Sequence, residues 1–215
     1  MAKGVLYVVS GPSASGKGTI CHGVMGRAAA SNTPLWLSVS ATTRPPRVEE
    51  VDGVHYFFKT KNEFADMVAR NDVLEHTFYN DHYYGTPVQY FNEKTSQGVD
   101  VILEIETDGA AQVKHRYPDA VLVFVMAPSL LVLEQRLRDR IVKGKPFGVF
   151  TPEEQEKTEE MIHWRMSKAR EELQLISQYD YLVVNDRLDT AVDDLLAIIR
   201  SQRCRIGSDT PRLFE

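Results

Sequence analysis

The chain has 215 residues, 43% of them hydrophobic and 26% charged, which suits one α/β domain with excursions and a sizeable buried core. A formal net charge of −5 excludes the basic field of a general nucleic-acid binder, so an anionic ligand must be held by a few aimed cations. No apolar run approaches the ~20 residues that span a bilayer, and Cys21 and Cys204 make no metal or redox spacing, as expected of free thiols in a reducing cytoplasm.

The N-terminal Met-Ala-Lys-Gly leads straight into an apolar run, so no signal peptide is expected. Val5–Ser10 is that run, and it predicts a strand buried on both faces. A helix is predicted from Thr19 to about Ala30. Between them lie Gly11, Pro12, Ser13, Ala14, Ser15, Gly16, Lys17, Gly18 and Thr19. Strand, glycine-rich loop, lysine and helix form the context of a phosphate-binding loop, in which inward N–H groups, a helix N-terminus and a lysine hold phosphate oxygens. The usual hydroxyl directly after the lysine is displaced by one residue, since Gly18 stands there and Thr19 follows.

Leu35–Ser40 predicts a second buried strand, running into a proline-stiffened loop, 41–47. A short strand is expected around Tyr56–Phe58, and Thr60 with Glu63 reads as a capping box opening a helix through Phe64, Met67 and Val68. Val73–Tyr79 predicts a strand and Asn80-Asp81 a turn. Tyr83 to Pro87 reads as the lead into another helix, with Pro87 at its first position. Strands at Val99–Ile105 and Ala120–Met126 alternate with helices at Asp108–Arg116 and Ser129–Ile141. Lys143–Phe150 predicts a loop, and Thr151-Pro152-Glu153-Glu154 opens a long helix. Tyr181–Val184 and Leu188–Arg203 are a last strand and helix, and residues 206–215 a flexible tail. The alternation predicts an α/β fold with a parallel sheet covered on both faces, interrupted by an α+β insertion over 41–92.

Arg44 and Arg47 flank the proline pair Pro45-Pro46, and two guanidinium groups so placed can close on one phosphate. The segment Ser38–Arg47, with Gly53-x-x-Tyr56-x-Phe58, Leu74-Glu75, Tyr83-Tyr84-Gly85-Thr86 and Val183-Val184-Asn185-Asp186, closely resembles the guanylate kinases. The likeness is collinear from Val5 to about Arg200. It implies a P-loop kinase that transfers a phosphoryl group from ATP, with Mg²⁺, to GMP or dGMP. It further implies a core of residues 1–40, 93–128 and 168–205, a GMP-binding unit over 41–92, and a lid over 129–167.

The resemblance also places residues. Arg44, Arg47, Tyr56 and Tyr84 match the clamp on the GMP phosphate, and Ser40 and Thr86 match hydroxyls that bond the base. Glu75 matches the carboxylate that reads guanine, which offers two adjacent N–H donors where adenine offers a lone pair. Glu104 and Glu106 stand where the family commonly carries aspartates, Glu104 toward water on Mg²⁺ and Glu106 near the guanine amino group. Thr19 is the other expected contributor to the metal. Arg140 and Arg165 resemble lid arginines that close on the transferring group, separated here by more residues than the compact lid of the family. Arg136 is a weaker candidate for that site, and Arg138 and Arg170 read as solvated surface. Asn185 matches a contact near the donor adenine, and a helix N-cap is its alternative.

Rival readings are a non-catalytic scaffold of the same fold, a kinase acting on phosphorylated ribose, and another nucleoside monophosphate kinase. The retained Gly16-Lys17 pair speaks against the first, and Glu75, Ser40 and Thr86 against the second. The Arg44–Arg47 segment speaks against the third. No nucleic-acid or membrane partner is expected, and no feature of the sequence sets the oligomeric state.

Overall fold

The structure, a computed structural model, describes residues 3–79, 81–143 and 151–205. Its core is a parallel sheet of β1 (Leu6–Ser10), β2 (Leu35–Leu37), β7 (Asp100–Glu104), β8 (Val121–Met126) and β9 (Tyr181–Val184), in the order β2-β7-β1-β8-β9. Alternation along β1 decides the two faces. Tyr7 and Val9 pack with Ile20 and Val24 of α1 (Lys17–Ala30) and with Val192, Leu195 and Ile199 of α7 (Leu188–Arg203). Leu6 and Val8 pack on the other face, with Phe91 of α3 (Val88–Ser96) and Val113 of α4 (Thr107–Arg116). This two-sided cover explains the unbroken apolar run of β1. β2 is only half-buried because it is an edge strand, and it ends at Leu37 rather than Ser40.

A second sheet rises from the carboxyl edge of the first. It pairs β3 (Ala41–Thr42), β4 (Phe57–Phe58), β5 (Val73–Tyr79) and β6 (His82–Pro87) in the order β4-β3-β6-β5. The reading of residues 83–87 as a helix lead is corrected here. They are a strand antiparallel to β5, and Pro87 is the N-cap of α3 rather than its first helical residue. The reason is pairing that local sequence does not carry, with Tyr84 registered on both Thr77 and Thr42. The capping box of Thr60 and Glu63 does open α2 (Lys61–Ala69), and a second box joins Thr151 to Glu154 at the start of α6 (Pro152–Leu173).

α6 packs on α5 (Leu130–Lys143) through Leu133, Leu137, Ile162 and Met166. Arg138, read as solvated, instead ties the two helices together, with Nη2 2.8 Å from Glu134 and 2.9 Å from Glu159. The expected loop over 144–150, Asn80 of the expected turn and the tail 206–215 lie outside the described residues. Among the described residues, no helix is long and apolar enough to cross a membrane. Cys21 and Cys204 are both free thiols.

Candidate active site

The central strand β1 delivers the glycine-rich loop to the carboxyl edge of the sheet, between β7 and β8, where open α/β sheets bind ligands. The helix begins at Lys17, two residues earlier than expected, with Gly16 as its N-cap at φ 96°. A side chain at Gly16 would overlap the amide of Asn185, and one at Gly11 would overlap the carbonyl of Val125. Ala14 also takes a left-handed conformation, φ 66°, a strain of the kind that collects at functional turns. The Lys17 ammonium is buried in the loop and donates to the carbonyls of Gly11 (2.6 Å) and Pro12 (3.1 Å).

From this loop a cleft of about 1640 Å³ runs to the second sheet. That exceeds the ~300–1,000 Å³ of a pocket for one small ligand and leaves room for two. It gathers Ser13, Ala14, Gly16, Lys17, Gly18 and Thr19 on one side and Ser40, Arg44, Arg47, Tyr56, Glu75 and Tyr84 on the other. Glu104, Glu106, Arg136, Arg140, Arg165 and Asn185 line the same cleft. Gly11, Pro12, Ser15 and Thr86 are buried behind these walls.

On the second-sheet side, the Arg44 guanidinium lies over the Tyr56 ring, 5.5 Å from its centroid, and Tyr56 meets Tyr84 edge to face. Glu50, which sequence reasoning did not single out, fixes this corner. It accepts from Arg44 Nη2 at 2.7 Å and from the Arg47 backbone N–H at 2.8 Å. The Arg44 bond, then the Arg47 amide, hold the Glu50 carboxyl down at about 2.

Glu75 sits deeper and is 4% exposed. Thr86 donates its hydroxyl to Glu75 Oε1 at 2.8 Å, so the structure places Thr86 behind the carboxylate. The second oxygen reaches toward Gly109 in the first turn of α4, where an added Cβ would lie 2.8 Å from Oε2. Burial pushes the Glu75 carboxyl up to about 7, with the Thr86 bonds opposing.

Glu104 ends β7 with both carboxylate oxygens 3.2 Å from where a Cβ on Gly18 would stand. The absent side chain at position 18 therefore makes room for the longer glutamate, and any residue there would force it to shift by a few tenths of an ångström. Burial raises the Glu104 carboxyl, while Lys17 opposes. Glu106 is the N-cap of α4, with Lys168 Nζ 3.9 Å from its carboxylate.

Asn185 does not cap α7, whose N-cap is Arg187; its side-chain amide donates to the Ser15 carbonyl at 2.8 Å and braces the loop from behind. Arg136 in turn donates to the Asn185 carbonyl at 2.9 Å. Arg165 reaches back from α6 to Ser13 Oγ at 3.2 Å.

Glu172 was also missed. It is 4% exposed, accepts from Thr107 Oγ1 at 3.3 Å, and is pushed up to about 7 by burial, then by Glu106. Its one signal was the seven-residue step from Arg165, two helical turns along the same face.

The chain matches a family model described as guanylate kinase over residues 3–202. It is 42% identical over 203 residues to a guanylate kinase of Halalkalibacterium halodurans, covering 94% of this chain and 91% of that one. A guanylate kinase of Carboxydothermus hydrogenoformans is 44% identical over 205 residues, covering 95% and 92%. Among solved structures, a guanylate kinase from Anaplasma phagocytophilum shares the fold, with TM-score 0.71, 24% identity, and coverage of 95% and 88%.

Proposed function

The chain belongs to the guanylate kinase family and transfers the γ-phosphoryl group of ATP to GMP, giving ADP and GDP; we propose that it does so in the cleft described above, with ATP at the glycine-rich loop and GMP on the second sheet. The observation that carries this assignment is the single continuous cleft, which has Lys17 at one end and Glu75, Arg44, Arg47, Tyr56 and Tyr84 at the other. Residues 41–92 serve as the GMP-binding unit and 129–167 as the lid. α6 runs unbroken through the proposed lid boundary, so that part of the lid and the core form one lever.

The acceptor is itself a phosphate, largely dianionic at neutral pH because its second pKa is ~6, and it needs no general base. The difficulty is bringing two polyanions into line without water. Lys17 and the loop amides hold the donor phosphates, and Asn185 keeps the loop in shape beneath them. Arg44, Arg47, Tyr56 and Tyr84 hold the GMP phosphate. Glu75 accepts from the two guanine N–H donors, with Thr86 fixing its orientation and Ser40 and Glu106 beside the base. Arg140 and Arg165 supply positive charge where the phosphoryl group passes.

Thr19 and Glu104 offer hard oxygen donors to one face of the cleft, a set suited to Mg²⁺ directly or through water. Bound there, Mg²⁺ would neutralise charge on the donor phosphates. The acceptor range extends to dGMP, since the residues assigned here read the base and phosphate. The free thiols fit a cytoplasmic enzyme.

Lys17→Met tests the donor assignment. It should lower kcat by a hundredfold or more, on the order of 3 kcal/mol of transition-state stabilisation, while GMP still binds by calorimetry. An unchanged turnover would remove Lys17 from the mechanism.

A further inference from the structure

Among the described residues, Arg165 is a cation of the cleft that touches both the glycine-rich loop and the second sheet. Its Nη1 donates to Ser13 Oγ in the glycine-rich loop at 3.2 Å, and its Nη2 donates to the hydroxyl of Tyr79 at 3.3 Å. Tyr79 ends β5, on the acceptor sheet, and is 86 residues from Arg165 in the chain. Two further residues of α6 hold the same ring. Trp164 lies against it with centroids 6.1 Å apart, and Lys168 places its ammonium 6.0 Å from the centroid. Residues 164, 165 and 168 fall on adjacent turns of one helix face, so a single stripe of α6 grips this tyrosine.

The partners of Arg165 differ in kind from those of Arg44 and Arg138. Arg44 is paired with Glu50 and Arg138 with Glu134 and Glu159, carboxylates that neutralise them. Arg165 is held by two neutral hydroxyls, and its buried Nε has no partner among the described residues. Neutral acceptors fix the plane and direction of the guanidinium while leaving its charge available to a phosphoryl group. A long arginine otherwise has much rotamer freedom to lose.

We infer that Tyr79 is a positioning residue for phosphoryl transfer: from the acceptor sheet it orients the Arg165 guanidinium toward the glycine-rich loop. The arginine is then aimed only when the acceptor sheet stands over α6, which ties transfer to the presence of a correctly held acceptor. This rests on the role given to Arg165 above.

The test is a double-mutant cycle of Tyr79→Phe and Arg165→Ala, with ADP formation measured at saturating ATP and GMP. Phenylalanine keeps the ring contacts with Trp164 and Lys168 and removes only the hydroxyl. Tyr79→Phe should lower kcat roughly three- to tenfold, the loss of one hydrogen bond, with both KM values within about twofold of wild type. Arg165→Ala should lower kcat further, and adding Tyr79→Phe to it should change nothing, because the hydroxyl acts through the arginine. A wild-type kcat for Tyr79→Phe, or the same fold-loss in the Arg165→Ala background, would overturn the inference and leave the Arg165 assignment standing. A wild-type kcat for Arg165→Ala would overturn both.

Discussion

At the scale of single residues, the guanine recognition proposed for Glu75 depends on a carboxyl that burial makes hard to ionise. Glu75 is pushed up to about 7 by burial, and only its ionised form accepts from both guanine donors. As pH falls from 8 to 5.5, kcat/KM for GMP should therefore decline through a step near 7, approaching tenfold per unit below it. Protonation of GMP itself adds a second step near ~6. Glu75→Gln should abolish the upper step and keep the lower one, and a profile unchanged by the substitution would contradict the assignment. The stability effect has the opposite sense. Between an unfolded value of 4.5 and a folded value of about 7, the folded state binds more protons, so stability falls as pH rises through that window. Glu75→Gln should accordingly raise Tm at pH 8 and give no such gain at pH 4.5, as thermal melts at the two pH values would show. Glu172, shifted in the same direction, would keep part of the slope in the variant.

At the scale of elements, the molecule fastens its last helix to the sheet through one buried acid. Asp100 opens β7 and accepts from the Val5 backbone N–H at 2.9 Å and from Arg203 Nε of α7 at 2.8 Å. Arg203 also donates to the Pro34 carbonyl. Asp100→Ala would leave a buried N–H and a half-buried guanidinium without their acceptor, a loss of roughly 2–3 kcal/mol. For a chain of this length that corresponds to a fall in Tm of roughly 5–10 °C, measured by calorimetry; a shift under a degree would mean that the helix is held elsewhere. The strands of the core were legible because burial on two faces writes itself as continuous apolar runs. The capping box at Thr60 was legible because it is local. β6 was not, because Tyr83 to Pro87 contains a glycine and a proline, and its strand character comes from two partners on either side. Gln112 of α4 meets the backbone of His76 on β5 through both ends of its amide, a tie between the core and the second sheet that likewise left no local mark.

At the scale of the whole molecule, the site is a product of two sheets meeting at the carboxyl edge of the core. Glycine spacing, the lysine and the paired arginines could be read directly, because each motif is contiguous. Glu50 lay three residues from Arg47 and carried no pattern of its own. Glu172 and Tyr79 acquire meaning only through residues 65 and 86 positions away. The shared feature is that the missed residues act on other side chains. The proposed placement makes one demand that neither half of the cleft makes alone: base identity at Glu75 must govern phosphoryl transfer at the glycine-rich loop. Initial rates of ADP formation with GMP, dGMP, IMP and AMP as acceptors measure it most directly. GMP and dGMP should react well, IMP more slowly for want of the 2-amino donor, and AMP worst, by roughly a thousandfold or more. AMP turned over as fast as GMP would contradict the placement of guanine against Glu75.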